Sequence, residues 1–196
     1  TRRSSDLVIE KYDTAGNWAD SLKINYTYNQ ENDLAEEIHQ KFTESFFLNY
    51  RKYTFSYSVP GKLREEYHYE WNNLNQSWKA TTYLIYTYNE NQQLVGILEK
   101  YWDEYENRWI DKDKTSYTYN ASGKRTEVLQ QFYDPINQYW FFTSKYNYTY
   151  DDNGNRLEYI YRFWDEQNAE WLDIYKDENF WSFFEPYSIS DPEPEI

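Results

Sequence analysis

The chain has 196 residues and is strongly acidic, with 34 Asp and Glu against 20 Lys and Arg and a formal net charge of −14. Such a charge repels phosphate backbones and anionic membrane surfaces, so we expect no nucleic acid partner. No stretch approaches the ~18 consecutive apolar residues of a membrane helix, so we expect no membrane insertion. The chain contains no Cys, which excludes disulfides, thiolate metal ligands and a thiol nucleophile.

Aromatic residues make up 22% of the chain, with 24 Tyr, 11 Phe and 9 Trp. Chains that remain disordered are poor in aromatic residues, although low aliphatic content and high charge are typical of them. Each aromatic side chain buries roughly 150–250 Å² when it packs. We therefore expect an ordered protein in which aromatic side chains supply most of the burial.

An internal repeat of about 31 residues runs along the chain, and such repeats decide the architecture. The same interval separates the Trp residues Trp78, Trp109, Trp140 and Trp171, and the Tyr residues Tyr57, Tyr88, Tyr119 and Tyr150. Residues 1–187 are predicted to form one β-repeat array of about six units. Residues 188–196 are acidic and contain Pro, and they are predicted to form a linker or tail.

Each unit is predicted to contain two strands. The first carries Tyr-x-Tyr, as in Tyr86-Thr87-Tyr88, and alternation of aromatic and polar residues is typical of a strand. A turn with Asn or Gly follows, then a second strand that ends near a Trp. Residues 35–41 have some helical character, but their place in the repeat predicts a strand.

Two strands per unit with short turns predict an all-β fold, an antiparallel meander of about 12 strands. Because sheets twist, we expect an open, twisted or superhelical sheet. Closure into a barrel is the alternative.

The segment from Tyr148 to Leu157, Tyr-Thr-Tyr-Asp-Asp-Asn-Gly-Asn-Arg-Leu, resembles the tyrosine–aspartate repeat of the Rhs/YD family. The longer unit with its Trp pair is similar to repeats of secreted Bacteroidota proteins that often precede a type IX secretion sorting domain. This resemblance implies an exported, cell-surface or released protein, and it implies no activity. It also implies that export machinery is a partner, through a C-terminal domain outside this sequence.

Two short motifs, Asp13-Thr14-Ala15 and Asp20-Ser21-Leu22, resemble the O-glycosylation motif of Bacteroidota. Thr14 and Ser21 are therefore candidate modification sites, although three-residue motifs are frequent by chance.

The residues that could serve in catalysis or metal binding also have structural interpretations. The two His residues, His39 and His68, lie at equivalent repeat positions and are interpreted as ordinary strand residues. Paired carboxylates are abundant, as at Asp103/Glu104 and Asp165/Glu166, and their repetition favours solvated turns over the single pair of a glycosidase. We expect no enzyme activity, no cofactor and no metal. A calcium site is the less favoured interpretation of one acidic turn, Asp151, Asp152 and Asn153.

The Trp residues at the strand ends have two interpretations, as core or as exposed platforms on which sugar rings stack. The candidate ligand-binding residues are Trp71, Trp78, Trp102, Trp109, Trp140, Trp164 and Trp171. The first functional hypothesis is a secreted or cell-surface module that binds a polysaccharide or cell-surface glycan, or another surface ligand, through aromatic platforms. The second is a passive structural or adhesive spacer, exported as type IX secretion cargo.

Overall fold

The computed structural model describes residues 4–12, 18–43 and 45–179. In this part of the chain twelve strands form one sheet in which every strand pairs antiparallel with its neighbours in sequence. The strands are β1 Ser4–Tyr12, β2 Trp18–Tyr28, β3 Leu34–Thr43, β4 Phe46–Val59, β5 Lys62–Asn72, β6 Ser77–Tyr88, β7 Leu94–Asp103, β8 Arg108–Tyr119, β9 Arg125–Asp134, β10 Tyr139–Tyr150, β11 Arg156–Asp165 and β12 Glu170–Glu178.

The sheet is open, because β1 and β12 lie at its two ends and do not pair with each other. The predicted all-β meander is confirmed, and the barrel alternative is wrong. The segment with helical character lies in β3, as its repeat position predicted. Over the described ranges, no helix has the length and apolar character needed to cross a membrane.

The loops that follow the Tyr-x-Tyr strands lie together along one side of the sheet, at the ends of the strands. We call this side the Tyr edge. In the loop 120–124, the Asn120 side-chain oxygen accepts the Lys124 N–H at 2.9 Å. The Gly123 N–H donates to the Asn120 carbonyl at 3.0 Å, and Gly123 has φ +78°. The same side-chain bond is made by Asn29, Asn89 and Asp151. An Asn or Asp at the first position therefore replaces a backbone acceptor and fixes the turn.

Four loops along the opposite edge, the Trp edge, also begin with Asn or Asp. The Asp165 side-chain oxygen accepts the N–H groups of Gln167 at 3.0 Å and Asn168 at 3.3 Å. Equivalent pairs of bonds reach Asn72, Asp103 and Asp134. An aromatic cross-strand pair precedes each of these loops, such as Trp164 opposite Trp171.

A β-bulge interrupts each even-numbered strand three residues after its Trp or Phe. In β6 the pairs Tyr69–Ala80 and His68–Thr82 leave Thr81 without a cross-strand partner. The equivalent unpaired residues in later strands are Lys112, Thr143 and Ile174. A bulged residue changes the alternation of side chains by one step. The Trp residues before the bulge and the Tyr-x-Tyr residues after it therefore lie on opposite faces, which we call the Trp face and the Tyr face.

The core is thin and lies on the Tyr face. Among the residues whose burial is described, only Ile24, Ile110, Val128 and Ser144 are buried, and no large side chain is completely enclosed. All four share a face with Tyr-x-Tyr residues, as Val128 does opposite Tyr117. The sheet is a single layer, so its cohesion comes from side chains packed along each face rather than between two layers.

Candidate ligand-binding groove

The seven predicted Trp residues are half-buried and lie at the Trp edge. The structure brings six of them together as cross-strand pairs packed edge to face. Ring centroids are 4.9 Å apart for Trp71–Trp78, 5.3 Å for Trp102–Trp109 and 5.1 Å for Trp164–Trp171. Trp140 pairs instead with Tyr133 at 5.1 Å. Each Trp thus covers part of its partner, and the residues do not form one continuous flat row.

Two of the Trp rings are also covered by cations. The Lys52 ammonium lies 5.3 Å from the centre of the Trp78 ring, and the Lys145 ammonium lies 4.5 Å from that of Trp171. Such contacts contribute about 0.5–1 kcal/mol at exposed sites. These Trp residues therefore have a cohesive role within the sheet.

A groove of about 700 Å³ opens on the Trp edge between the hairpin β5–β6 and the hairpin β7–β8. We call it the Trp groove. Trp78 lines it from the first hairpin, and Trp102 and Trp109 line it from the second. The remaining lining residues are Tyr67, Tyr69, Asn72, Asn75, Ser77, Lys79, Ala80, Glu104 and Asn107.

A stacked tyrosine pair supports the groove from within the sheet. The rings of Tyr67 and Tyr83 are 4.2 Å apart and nearly parallel, at 5°. Trp109 packs on both, with centroid distances of 6.1 Å to Tyr67 and 5.6 Å to Tyr83. Three rings from two hairpins therefore form one cluster, which holds the Trp109 wall in place.

Hydrogen bonding fixes the Tyr83 ring further. Its hydroxyl donates to Glu65 at 3.0 Å, and burial together with hydrogen bonding raises the pKa of Tyr83. Burial acts to raise the pKa of Glu65, but hydrogen bonds from Tyr83, Ser56 and Arg64 together lower it. The stack is therefore anchored to an ionised carboxylate at neutral pH.

The charged groups that line the groove neutralise each other. The Lys79 ammonium of the first hairpin pairs with the Glu104 carboxylate of the second. The other polar lining residues, Asn72, Asn75, Ser77 and Asn107, carry amides and a hydroxyl. The groove thus combines aromatic surface with neutral hydrogen-bonding groups.

The other predicted sites lie apart from the groove. Both carboxylate oxygens of Asp151 accept bonds from Asn155, at 2.7 Å from its N–H and 2.9 Å from its side-chain amide. Hydrogen bonds from Asn155 lower the pKa of Asp151, while Asp152 and Asn153 are exposed. Within the described ranges no cluster of three or more His, Asp or Glu could hold a metal ion. Thr14 and the side chain of Ser21 lie outside what the structure describes.

The two His residues lie on the Tyr face on either side of Tyr53. Ring centroids are 5.4 Å apart for His39–Tyr53 and 4.8 Å for Tyr53–His68. His68 also bonds Glu66 at 2.6 Å, and His39 bonds Glu37. Both side chains pack against neighbouring strands of the sheet, in agreement with their interpretation as ordinary strand residues.

Several residues of the groove region were not singled out from the sequence, among them Tyr67, Tyr69, Ala80 and Tyr83. A signal for Tyr83 was present, because the equivalent residues of the other units can be compared with it. At the Tyr83 position the other units carry Lys23, Lys52, Lys114, Lys145 and Lys176. Departures from a repeat pattern mark positions where one unit differs in role from its neighbours.

No protein-family model and no curated protein matches the chain. A solved structure from Bacteroides fragilis, a protein of unknown function, is 17% identical with a TM-score of 0.53, over 65% of this chain and 91% of that one. This likeness supports the β-rich fold. A DUF3836 family protein from Bacteroides vulgatus is 23% identical (TM-score 0.39, 46% and 90% covered), and one from Parabacteroides distasonis is 19% identical (0.35, 48% and 91%). These structural neighbours are proteins of Bacteroidota.

Proposed function

We propose that this chain is a non-catalytic module of a secreted or cell-surface protein that binds a glycan through aromatic side chains of the Trp face. The Trp groove is the observation that carries the proposal. Flat aromatic rings stack on the C–H faces of sugars, and amide and hydroxyl groups bond sugar hydroxyls. A volume of about 700 Å³ lies within the range of small-molecule sites.

The groove has the composition of a binding site rather than of a hydrolase. Glycosidases place two carboxyl groups on either side of the scissile bond. Of the described residues that line the groove, only Glu104 carries a carboxyl group, and it pairs with Lys79. This arrangement supports binding without bond cleavage.

Export is the second part of the proposal. The Trp-containing repeat and the YD-like segment at Tyr148–Leu157 support a type IX secretion cargo that reaches the cell surface or the medium. Protease treatment of intact producing cells tests this part. Digestion of the chain without cell lysis is expected, and complete protection would contradict a surface location.

A passive structural or adhesive spacer is the second candidate function. The edge-to-face Trp pairs and the lysines over Trp78 and Trp171 favour it, because these contacts join neighbouring strands without any ligand. In this case the aromatic rows serve cohesion alone.

Titration with a panel of soluble polysaccharides, followed by intrinsic Trp fluorescence, separates the two candidates. Glycan binding predicts a saturable shift with one class of polysaccharide. The affinity obtained from this shift should fall at least tenfold in Trp102→Ala, a loss of about 1.4 kcal/mol of binding free energy. Tyr175→Ala is the matched control, since Tyr175 is 55% exposed and lies on the Tyr face. No shift with any polysaccharide, together with Trp emission that a soluble quencher leaves unchanged, would favour the spacer.

A further inference from the structure

From the internal comparison of the hairpins, we infer that the glycan site is the Trp groove alone rather than a row of equivalent platforms. We further infer that it takes a neutral oligosaccharide and that the small side chain of Ala80 keeps it open. This inference rests on the proposed glycan-binding function and assigns it to one place. The six hairpins have the same strand arrangement, so each residue of the groove can be compared with the equivalent residues of the other five hairpins.

The first difference is the stacked tyrosine pair. Tyr67 faces Tyr83 across β5 and β6. In the other five hairpins an aliphatic residue faces a lysine at this register: Val8 and Lys23, Ile38 and Lys52, Leu98 and Lys114, Leu129 and Lys145, Ile160 and Lys176. An aliphatic residue and a lysine suffice to hold a hairpin, so strand pairing does not require the tyrosines. They add flat aromatic surface beside Trp109 in this hairpin only.

The second difference is the adjacent pair, Tyr69 opposite Ala80. Three of the other hairpins place polar or charged partners here: Gln40 with Asn49 at 2.9 Å, Lys100 with Asp111 at 2.5 Å and Arg162 with Asp173 at 2.5 Å. Those paired side chains lie on the Trp face next to the aromatic pair of their own hairpin. Ala80 is too small to form such a contact, and Tyr69 contributes a ring to the lining.

Phe142 shows what a larger side chain does at the Ala80 position. It lies 62 residues later, at the same place relative to the next Trp pair. The Phe142 ring packs 5.3 Å from Trp164 and 5.6 Å from Trp171. At the equivalent position one repeat after Ala80, Asp111 lines a space of about 210 Å³ together with Lys100, Trp109 and Tyr133. The Trp groove, at about 700 Å³, is the one that a small side chain leaves open.

The charge of the site favours a neutral ligand. Lys79 and Glu104 neutralise each other across the groove, and the chain carries a net charge of −14. The nearby Lys52 ammonium lies over the rings of Tyr69 and Trp78, and an anionic glycan would be repelled by the negative charge of the protein as a whole. A neutral sugar chain needs only ring faces and hydroxyl partners, which the groove supplies.

Calorimetric titration of the whole chain with hexasaccharides tests the inference. The probes are neutral gluco-, manno- and xylo-hexasaccharides and, as the anionic probe, a hexamer of galacturonic acid. Ala80→Phe is expected to weaken binding of the neutral probe at least tenfold, whereas Ala80→Ser keeps the groove open and stays within about twofold of wild type. Ala80→Phe should fold normally, because Phe142 occupies the same position.

Two further variants keep the test decisive. Trp102→Ala should weaken binding as Ala80→Phe does, while Trp164→Ala should leave it unchanged. The double variant Tyr67→Leu with Tyr83→Lys restores the pair found in the other hairpins and should also abolish binding while the sheet persists.

Each outcome has a distinct meaning. If wild type binds none of the probes, the proposed function itself fails. If wild type binds but Trp164→Ala weakens binding as much as Trp102→Ala, glycan binding stands and the single groove is wrong. If the galacturonate hexamer binds more tightly than the neutral hexasaccharides, the inference of a neutral ligand is wrong. If Ala80→Phe binds as tightly as wild type, Ala80 does not keep the groove open.

Discussion

Insertion of one alanine after Thr143 is expected to move Trp140 from the Trp face to the Tyr face. Trp140 and Tyr148 are eight positions apart, an even number, so unbroken alternation would place them on the same face. They lie on opposite faces because Thr143 is bulged between Phe142 and Ser144. With one more residue beside the bulge, either the end of β10 changes face or the strand slips by one residue. In both cases Trp140 leaves its partner Tyr133.

The cost follows from the contacts that the insertion breaks. Trp140 packs 5.1 Å from Tyr133, and Phe142 packs against both Trp164 and Trp171. Each aromatic contact contributes about 0.5–1.5 kcal/mol, so the three together contribute about 3 kcal/mol. The insertion should therefore cost about 3 kcal/mol.

Deletion of Thr143 is the matched control, because it leaves Trp140 and Tyr148 an odd number of positions apart and so keeps them on opposite faces without a bulge. It loses the bond from the Thr143 hydroxyl to the Gln130 carbonyl at 3.1 Å, which contributes about 1 kcal/mol. Urea unfolding followed by Trp fluorescence and by far-UV circular dichroism measures both variants, and the loss of aromatic pairs should also change the near-UV spectrum of the insertion. If insertion and deletion destabilise the protein equally, the bulge does not separate the two faces and the reasoning is refuted.

Substitutions at three further positions test other parts of the structure. The hydrogen bond from His68 lowers the pKa of Glu66, because it favours the ionised carboxylate. This bond therefore stabilises the fold at neutral pH, and its contribution is lost when acid protonates Glu66. Glu66→Gln should cost about 1 kcal/mol at pH 7, and urea unfolding should show this difference shrinking as the pH falls below the ordinary value of 4.5. Gly123→Ala should cost about 1 kcal/mol in thermal unfolding because φ is +78°, and Gly123→Asn should cost less. Phe142→Ala should cost about 2 kcal/mol through its lost ring contacts, and unchanged stability would contradict its packing role.

The strands and their order could be predicted because the same sequence pattern recurs in successive units of the repeat. The period, the Tyr-x-Tyr alternation and the Asn or Gly turns agree with one another in most units. Repeat position also decided the structure of β3, where local propensity suggested a helix. The boundary at residues 187 and 188 lies outside the described residues, so it stays a prediction.

The separation of the two faces could not be predicted, since nothing in the sequence marks the bulges. The bulged residues are Thr81, Lys112, Thr143 and Ile174, and they share no chemical character. A bulge depends on the register of two strands rather than on the residue itself. The Trp groove was missed for a related reason, because its lining comes from two hairpins and its size depends on the small side chain of Ala80.

The order of the strands has a consequence for how the chain folds. Every strand pairs only with its neighbours in sequence, so each pairing closes a short loop and loses little chain entropy. The contact order is therefore low for an all-β protein, and low contact order is associated with rapid folding. One hairpin can form and serve as the template for the next, so we expect that the sheet can grow hairpin by hairpin as the chain is synthesised.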